Sequence, residues 1–209
     1  MVKVKVCGIT ELQDASVAVE LGADVLGFIF APSPRRISPD EAREIISALP
    51  PFVKTMGCFV NEEPATIREI IYYCGLDLIQ LHGDESPDFC QEFMPYATRA
   101  LRMKDETTLR TIEQYQGKVR GLVLDTYTKR KVGGTGKTFD WELAVKVKDM
   151  GIPVILAGGL NPSNIERAIS TVRPYAVDVN SGVEERPGKK SHTLLKELFE
   201  KIEKINTGG

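Results

Sequence analysis

Short runs rich in β-branched and other apolar residues alternate along this chain with longer amphipathic stretches, eight times in succession. This alternation is typical of βα units that build a parallel sheet. The predicted strands cover 2–6, 25–30, 53–60, 78–81, 98–101, 121–124, 154–157 and 176–179. A first helix, capped by Thr10 and ended by Gly22, precedes helices predicted over 39–48, 64–73, 86–93, 106–115, 141–148, 162–171 and 193–205. At about 26 residues each, the eight units account for nearly all of the 209 residues and predict an α/β protein, a single (β/α)8 barrel (TIM barrel) over 1–209.

An open, doubly wound sheet is the main alternative for this pattern. It would need a glycine-rich nucleotide-binding turn after the first strand, and the Cys-Gly-Ile-Thr segment at 7–10 does not supply one. The glycine-rich segment 133–138 is not a Walker loop either, because that motif needs a glycine where the chain has Lys131. We interpret this segment as a mobile loop that is long enough to act as a lid over the barrel mouth.

Charge and hydropathy narrow the possible partners. The formal net charge of -2 and the pI near 5.8 argue against the broad positive surface that non-specific nucleic-acid binding needs. The most apolar stretches, 23–31 and 152–157, are much shorter than the ~18 residues that span a bilayer, and the N-terminus lacks a signal-peptide pattern. We therefore expect a cytoplasmic protein that binds small molecules or further copies of itself, with no nucleic-acid or membrane partner.

The cysteines give no sign of a disulfide framework or of a structural metal site. The four of them, Cys7, Cys58, Cys74 and Cys90, include no Cys-x-x-Cys pair. The last three have apolar or aromatic neighbours and are predicted to be small buried residues. His82 has no second histidine near it, because His192 falls in the last predicted helix, so we expect no metal site.

Polar and small residues collect where the predicted strands end. In a TIM barrel the active site lies at the carboxyl ends of the strands and is built by the loops that follow them. The residues at those positions are Cys7, Arg35, Arg36, Asn61, Gln80, His82, Asp125, Gly158, Gly159, Asp178, Asn180, Ser181 and Gly182. The sequence therefore predicts an active site at this face of the barrel.

Two clusters of small residues follow the seventh and eighth strands. Gly158-Gly159 and Asn180-Ser181-Gly182 would let backbone N–H groups approach a ligand without a large side chain in the way. Either cluster alone is equally well explained as a tight turn. Because they occur together at the two positions where barrels hold phosphate, they favour a small phosphorylated ligand.

Two further side chains at this face have the chemistry of proton transfer. Cys7 could be a nucleophile, a general base or a packed thiol. Asp125 ends the apolar run 121–124, where an unpaired buried carboxylate would be costly. We therefore expect it to be exposed at the barrel mouth and available for proton transfer, with a capping role as the alternative. For His82 alone, the plainer interpretation is a structural histidine.

Nine segments of the chain together resemble one enzyme family. They are 5–10, 27–31, 33–36, 57–61, 80–83, 124–125, 134–141, 157–162 and 177–184. The combination resembles the phosphoribosylanthranilate isomerases of tryptophan biosynthesis from about residue 4 to residue 190. The Lys-x-Cys-Gly opening and the Leu124-Asp125 pair at the sixth strand are its most specific parts.

The resemblance implies an Amadori rearrangement of N-(5′-phosphoribosyl)anthranilate to 1-(2-carboxyphenylamino)-1-deoxyribulose 5-phosphate, without a redox cofactor or a metal. Asp125 matches the general acid, which protonates the furanose ring oxygen, and Cys7 matches the general base, which removes the C2′ proton. A thiolate near neutral pH requires a lowered pKa. Arg35 and His82 are the candidate groups for lowering it.

The resemblance also implies how the substrate is held. Arg35 matches an arginine that holds the anthranilate carboxylate, a task suited to a planar guanidinium. Asp178 matches a residue that meets the anthranilate, and His82 is a further substrate-binding candidate. The phosphate site would consist of Gly158, Gly159, Asn180, Ser181 and Gly182, with Asn180 where the family often has a serine.

Two other functions stay open. The sister isomerase of histidine biosynthesis, or a dual-substrate form, rearranges a substrate with two phosphates, but it generally has an aspartate where this chain has Cys7. The acidic segment 61–64 after the third strand, which has no glycine pair, also disfavours a second phosphate site. A non-catalytic phosphoribosyl-binding barrel would use Cys7 and Asp125 only for packing and capping. The family that the chain resembles includes both monomers and homodimers, so we expect the protein to adopt one of these two oligomeric states.

Overall fold

The computed structural model describes residues 1–103, 107–126 and 141–208. Within these ranges, parallel strands close into a barrel in chain order. They are β1 (Lys3–Cys7), β2 (Val25–Ile29), β3 (Lys54–Phe59), β4 (Leu78–Leu81), β5 (Ala97–Met103), β6 (Leu122–Thr126), β7 (Val154–Leu156) and β8 (Ala176–Val179). The last strand pairs with the first, where Lys5 lies opposite Asp178. The predicted (β/α)8 barrel is confirmed.

Helices follow the strands around the outside of the barrel. They are α1 (Leu12–Glu20), α2 (Pro39–Ser47), α3 (Pro64–Cys74), α4 (Pro87–Gln91), α5 (Thr107–Glu113), α6 (Trp141–Lys148), α7 (Ile165–Val172) and α8 (His192–Thr207). Local signals start several of them: Ser38 and Glu41 form a capping box at α2, and α3 and α4 begin with proline. No helix in the described part of the chain is long and apolar enough to cross a membrane.

The apolar core has two parts. The larger part lies between strands and helices and includes Val4 and Val6, which alternate along β1 with the inward-facing Lys5 and Cys7. The smaller part consists of Ala100, Val123, Ile155, Ala157 and Ala176. Several polar side chains are also buried in the barrel strands, among them Lys5, Gln80 and Asp178. Buried polar groups need hydrogen-bond partners. These side chains bond to one another, which fixes their positions at the carboxyl ends of the strands.

Several predicted boundaries differ from the structure, and three of them concern segments next to the predicted site. Thr10 does not cap α1, because its hydroxyl donates to the carbonyl of Gly188, and the helix begins at Leu12. Helix α7 begins three residues later than predicted, since the side-chain amides of Asn161 and Asn164 both donate to the Gly159 carbonyl and favour a turn. Strand β6 extends to Thr126, so Asp125 lies within the strand. The predicted lid at 133–138 and the predicted helix start at 106 lie outside the described residues.

A short hairpin between β8 and α8 was not predicted. A 3-10 turn, Ser181–Val183, leads into the antiparallel strands β9 (Glu184–Arg186) and β10 (Lys189–Lys190). The segment is mostly charged and lacks the apolar alternation that predicts a strand. Two of its charged residues, Glu184 and Lys190, reach the edge of the barrel where the predicted site lies.

Asp14 joins this hairpin to the helices. Its buried carboxylate accepts hydrogen bonds from the Lys190 N–H at 2.7 Å, from Nε2 of His192 at 2.9 Å and from Nζ of Lys189 at 3.1 Å. Burial alone would raise the pKa of Asp14, but these three hydrogen bonds outweigh it and hold the pKa below its ordinary value. Asp14 in the first turn of α1 is therefore a buried anchor.

Replacing Asp14 by Ala is expected to lower the free energy of unfolding by about 3 kcal/mol near neutral pH, because buried donors lose their acceptor. Since the folded-state pKa lies below the unfolded one, this stabilisation is present above the unfolded pKa and is lost as the pH falls through the folded pKa. Urea unfolding at a series of pH values measures the effect. The exposed Asp149→Ala is the control, and equal losses in both variants would contradict the anchoring role.

Candidate active site

The carboxyl ends of the barrel strands bring the predicted polar residues together. Cys7 is the last residue of β1, Asp125 is near the end of β6, and Asp178 lies in β8. Arg35 and His82 lie in the turns that follow β2 and β4. Because parallel strands all point the same way, residues far apart in sequence share this one face.

A buried lysine, which was not among the predicted site residues, crosses the inside of the barrel. Nζ of Lys5 lies 2.7 Å from Oδ2 of Asp178 and 2.6 Å from Oε1 of Gln80. Burial by itself would lower the pKa of Lys5, but its electrostatic interactions with Asp178, Cys58 and Cys7 outweigh burial and raise the pKa. Lys5 therefore keeps its positive charge beneath the site.

Asp178 has one buried carboxylate oxygen without a partner. Oδ2 is paired with Lys5, whereas Oδ1 has no hydrogen-bond partner among the residues that the structure describes. Burial raises the pKa of Asp178 to about 7; the charge of Lys5 opposes this rise, and the charges of Cys7 and Asp125 add to it. An unpaired buried acceptor is costly, so Oδ1 is suited to receive a donor from a ligand.

Cys7 and Cys58 form a pair of buried thiols. Their Sγ atoms lie 3.8 Å apart, although strand β2 runs between β1 and β3. Gly27 of β2 makes the contact possible, because a Cβ at that position would lie 2.8 Å from Sγ of Cys7. The two sulfurs can therefore share one hydrogen bond.

The surroundings of Cys7 favour its thiolate. The hydrogen bond from Cys58 is the main cause that holds the pKa of Cys7 well below its ordinary value; burial opposes it, and the charges of Lys5 and Lys190 add to it. The same hydrogen bond and burial raise the pKa of Cys58, so Cys7 is the thiol that ionises. The groups that lower the pKa are thus Cys58, Lys5 and Lys190 rather than the predicted Arg35 and His82.

Arg35 is buried and forms a two-pronged ion pair with Glu184 of the hairpin. Its Nε lies 2.9 Å from Oε1, and its Nη2 lies 2.7 Å from Oε2. Nζ of Lys190 donates to the same carboxylate at 2.9 Å. Burial would raise the pKa of Glu184, but the two cations hold it below its ordinary value. The plane of the Arg35 guanidinium is therefore fixed. Arg36, the next residue, is exposed.

His82 and Asp125 lie side by side at the barrel mouth. Nε2 of His82 is 3.6 Å from Oδ2 of Asp125, whose side chain is 31% exposed. Nδ1 of His82 lies 3.1 Å from Nε2 of Gln80. The predicted exposure of Asp125 is confirmed, whereas its role in proton transfer stays a prediction.

The small residues after β7 and β8 form two adjoining turns. Gly158 and Gly159 have φ of 83° and 67°, and Gly182 packs so closely that a Cβ there would lie 1.9 Å from the Leu160 carbonyl oxygen. In the described ranges, the N–H groups of Gly158, Gly159, Ser181 and Gly182 have no backbone carbonyl as partner. Neighbouring unpaired N–H groups suit an oxyanion such as phosphate. Asn180, beside them, accepts from Nζ of Lys190 at 3.0 Å through its side-chain oxygen.

The turns after β3 and β4 are occupied by a protein carboxylate. The N–H groups of Asn61 and Gly83 each donate at 2.8 Å to the buried Glu85, which is also paired with Arg99 at 2.9 Å. These backbone donors are therefore already satisfied. The two turns after β7 and β8 lie on another part of the same edge, where such donors are available.

This edge of the barrel has an ionisable thiol and two turns suited to an oxyanion. These are features of (β/α)8-barrel enzymes that act on small anionic ligands. The profile of the family described as N-(5′-phosphoribosyl)anthranilate (PRA) isomerase matches residues 4–201. An N-(5′-phosphoribosyl)anthranilate isomerase from Geobacter sulfurreducens is 50% identical over 200 residues, which cover 95% of this chain and 97% of that protein. The chain belongs to the N-(5′-phosphoribosyl)anthranilate isomerase family and is an isomerase.

Solved structures agree with this assignment. The phosphoribosyl anthranilate isomerase from Thermotoga maritima has a TM-score of 0.89 and 44% identity to this chain, covering 97% of it and 99% of the other chain. A phosphoribosyl anthranilate isomerase in complex with reduced 1-(o-carboxyphenylamino)-1-deoxyribulose 5-phosphate has a TM-score of 0.86 and 42% identity, with the same coverage of both chains.

Proposed function

We propose that this protein converts N-(5′-phosphoribosyl)anthranilate into 1-(2-carboxyphenylamino)-1-deoxyribulose 5-phosphate in tryptophan biosynthesis, by an Amadori rearrangement. Asp125 is the general acid and Cys7 is the general base. The observation that carries the proposal is the surroundings of Cys7, where Cys58, Lys5 and Lys190 favour the thiolate at the active-site face of the barrel. Family membership supports the choice of substrate.

Ring opening is the step assigned to Asp125. Its carboxyl group donates a proton to the furanose ring oxygen, the C1′–O bond breaks, and the lone pair of the anthranilate nitrogen forms the C=N bond of a protonated Schiff base. No electrons are gained or lost overall. The place of Asp125, partly exposed at the mouth and beside His82, suits a group that must meet the substrate.

Proton removal from C2′ is the step assigned to Cys7. The thiolate takes the proton, and the electron pair of the C–H bond forms the C1′=C2′ double bond while the iminium nitrogen becomes neutral. The resulting enolamine becomes the ketone when C1′ gains a proton and the C2′ hydroxyl loses its own. Because the pKa of Cys7 is held well below its ordinary value, the thiolate is available to act as the base in this step.

Three groups are proposed to hold the substrate. Arg35, whose plane is fixed by Glu184, binds the anthranilate carboxylate through its remaining N–H donors. Oδ1 of Asp178, which lacks a partner among the described residues, accepts from the anthranilate N–H. The N–H groups of Gly158, Gly159, Ser181 and Gly182, with Asn180 beside them, receive the phosphate, and His82 completes the set next to Asp125.

The two other functions are less well supported. A histidine-pathway substrate would need a second phosphate site, and the amides after β3 and β4 are already bonded to Glu85. A non-catalytic barrel would have no need of a thiol whose pKa is held well below its ordinary value.

Turnover of freshly prepared N-(5′-phosphoribosyl)anthranilate, followed by the loss of its fluorescence, tests the proposal. We expect saturable turnover of this substrate and none of the histidine-pathway aminoaldose. Comparable rates on both substrates would indicate a dual-substrate enzyme. Reduced 1-(o-carboxyphenylamino)-1-deoxyribulose 5-phosphate, here called the reduced product, serves as a binding probe. Tight binding of this compound without any turnover of the substrate would indicate a non-catalytic phosphoribosyl-binding barrel and contradict the proposal.

A further inference from the structure

A chain of polar contacts leads from the inside of the barrel to the proposed acid. Nζ of Lys5 lies 2.6 Å from Oε1 of Gln80, and Nε2 of Gln80 lies 3.1 Å from Nδ1 of His82. Nε2 of His82, on the other side of the ring, lies 3.6 Å from Oδ2 of Asp125. The four side chains come from β1, β4, the turn after β4, and β6.

Lys5 determines which atom donates at each link. An ammonium group has three donors and no acceptor, so the Gln80 atom that faces Lys5 is the carbonyl oxygen. The amide NH2 group of Gln80 therefore faces His82, and it can only donate. Nδ1 of His82 must then be the acceptor, without a proton of its own. The ring proton of neutral His82 is consequently on Nε2, which faces Asp125.

We propose that Gln80 is a positioning residue: held by Lys5, its side-chain amide selects the His82 tautomer whose Nε2–H points at Asp125. Gln80 is 3% exposed and Lys5 is equally buried, so water does not compete for the links on which the selection depends. The selection itself is a property of the unliganded protein and needs no substrate.

The consequence for catalysis rests on the proposed function of Asp125 as general acid. An Nε2 that already carries a proton cannot accept one from Asp125. An Nε2 with a lone pair would accept it, and the proton would then be held by His82 instead of passing to the substrate. Gln80 would thus act on proton transfer through His82, without touching the reacting atoms.

Nitrogen NMR of the 15N-labelled protein tests the tautomer directly. The chain has only two histidines, so His82→Asn identifies the His82 signals by their loss. In the wild type, at a pH where the His82 ring is neutral, we expect Nε2 protonated and Nδ1 unprotonated. Gln80→Glu, which offers His82 an acceptor in place of a donor, should give a protonated Nδ1, and Gln80→Met should give a mixture of both tautomers. Gln91→Glu, the same change at an exposed position in α4, should leave the signals unchanged.

Kinetics with N-(5′-phosphoribosyl)anthranilate test the consequence. Gln80→Glu and Gln80→Met should each lower kcat at least about tenfold and leave KM within about twofold, since binding groups are retained. A wild-type proton on Nδ1 of the neutral His82 ring, or His82 signals that neither Gln80 variant changes, would overturn the inference whatever the protein catalyses. A changed tautomer with unchanged kcat would overturn the positioning role. Full turnover by Asp125→Asn would instead refute the acid role, while leaving the NMR result intact.

Discussion

Cys7→Ala is expected to lower kcat for N-(5′-phosphoribosyl)anthranilate by at least about 100-fold, the usual scale for a positioned general base. The variant has no group at this position to take the C2′ proton. Cys7→Ser should be similarly slow, because a hydroxyl is a weak base near neutral pH. Binding of the reduced product should be nearly unchanged in both variants, since the proposed ligands of the carboxylate and the phosphate are elsewhere.

The activity of the wild type should depend on pH through the ionisation of Cys7. Because the pKa of Cys7 is held well below its ordinary value, kcat/KM should stay high down to that lowered pKa and fall as the pH drops through it. Alkylation of Cys7 by iodoacetamide should follow the same curve. Cys74→Ala is the matched control, because Cys74 is a buried thiol on α3 whose pKa is raised by burial. Unchanged turnover by Cys7→Ala would refute the assignment of the base.

Asp125→Asn is expected to lower kcat by at least about 100-fold as well, because an amide cannot give a proton to the furanose oxygen. The substitution keeps the size of the side chain, so the reduced product should still bind. Steady-state kinetics and titration with the reduced product separate the loss of chemistry from the loss of binding.

The control for Asp125 is Asp84→Asn, an exposed carboxylate in the turn after β4 at the same edge of the barrel. We expect its kcat to stay within about twofold of the wild type. Equal losses of kcat in the two variants would point to the loss of a negative charge at the barrel mouth rather than to proton transfer by Asp125. A turnover of Asp125→Asn close to that of the wild type would refute the acid role.

The barrel could be predicted from the sequence because each βα unit carries its own pattern. The strand ends, in contrast, depend on neighbouring strands. Asp125 was predicted to follow β6, but pairing with β5, where it lies opposite Arg102, extends the strand past it. The late start of α7 depends on side-chain amides that bind the Gly159 carbonyl. These asparagines, Asn161 and Asn164, could have indicated a turn in place of the first helical turn, because their side chains often bond to nearby backbone groups.

The sequence predicts the site through one rule, that the active site of a barrel lies at the carboxyl ends of its strands. That rule placed Cys7, Asp125 and Asp178 on one face. Lys5 could also have been found, since it lies two residues before Cys7 and strand side chains alternate. Glu184 and Lys190 could not, because both lie in the hairpin: Glu184 pairs with Arg35 across 149 residues of sequence, and Lys190 pairs with Glu184.

Turnover in D2O tests most directly whether the rearrangement proceeds by proton transfer at this site. If the Cys7 thiolate removes the C2′ proton and C1′ is protonated in a later step, mass spectrometry should find one deuterium at C1′ in most of the product. Cys7→Ala should form this labelled product at least about 100-fold more slowly. Product incubated in D2O without enzyme is the control for exchange in solution. A product that carries no deuterium at C1′, formed at the same rate by Cys7→Ala, would contradict the account.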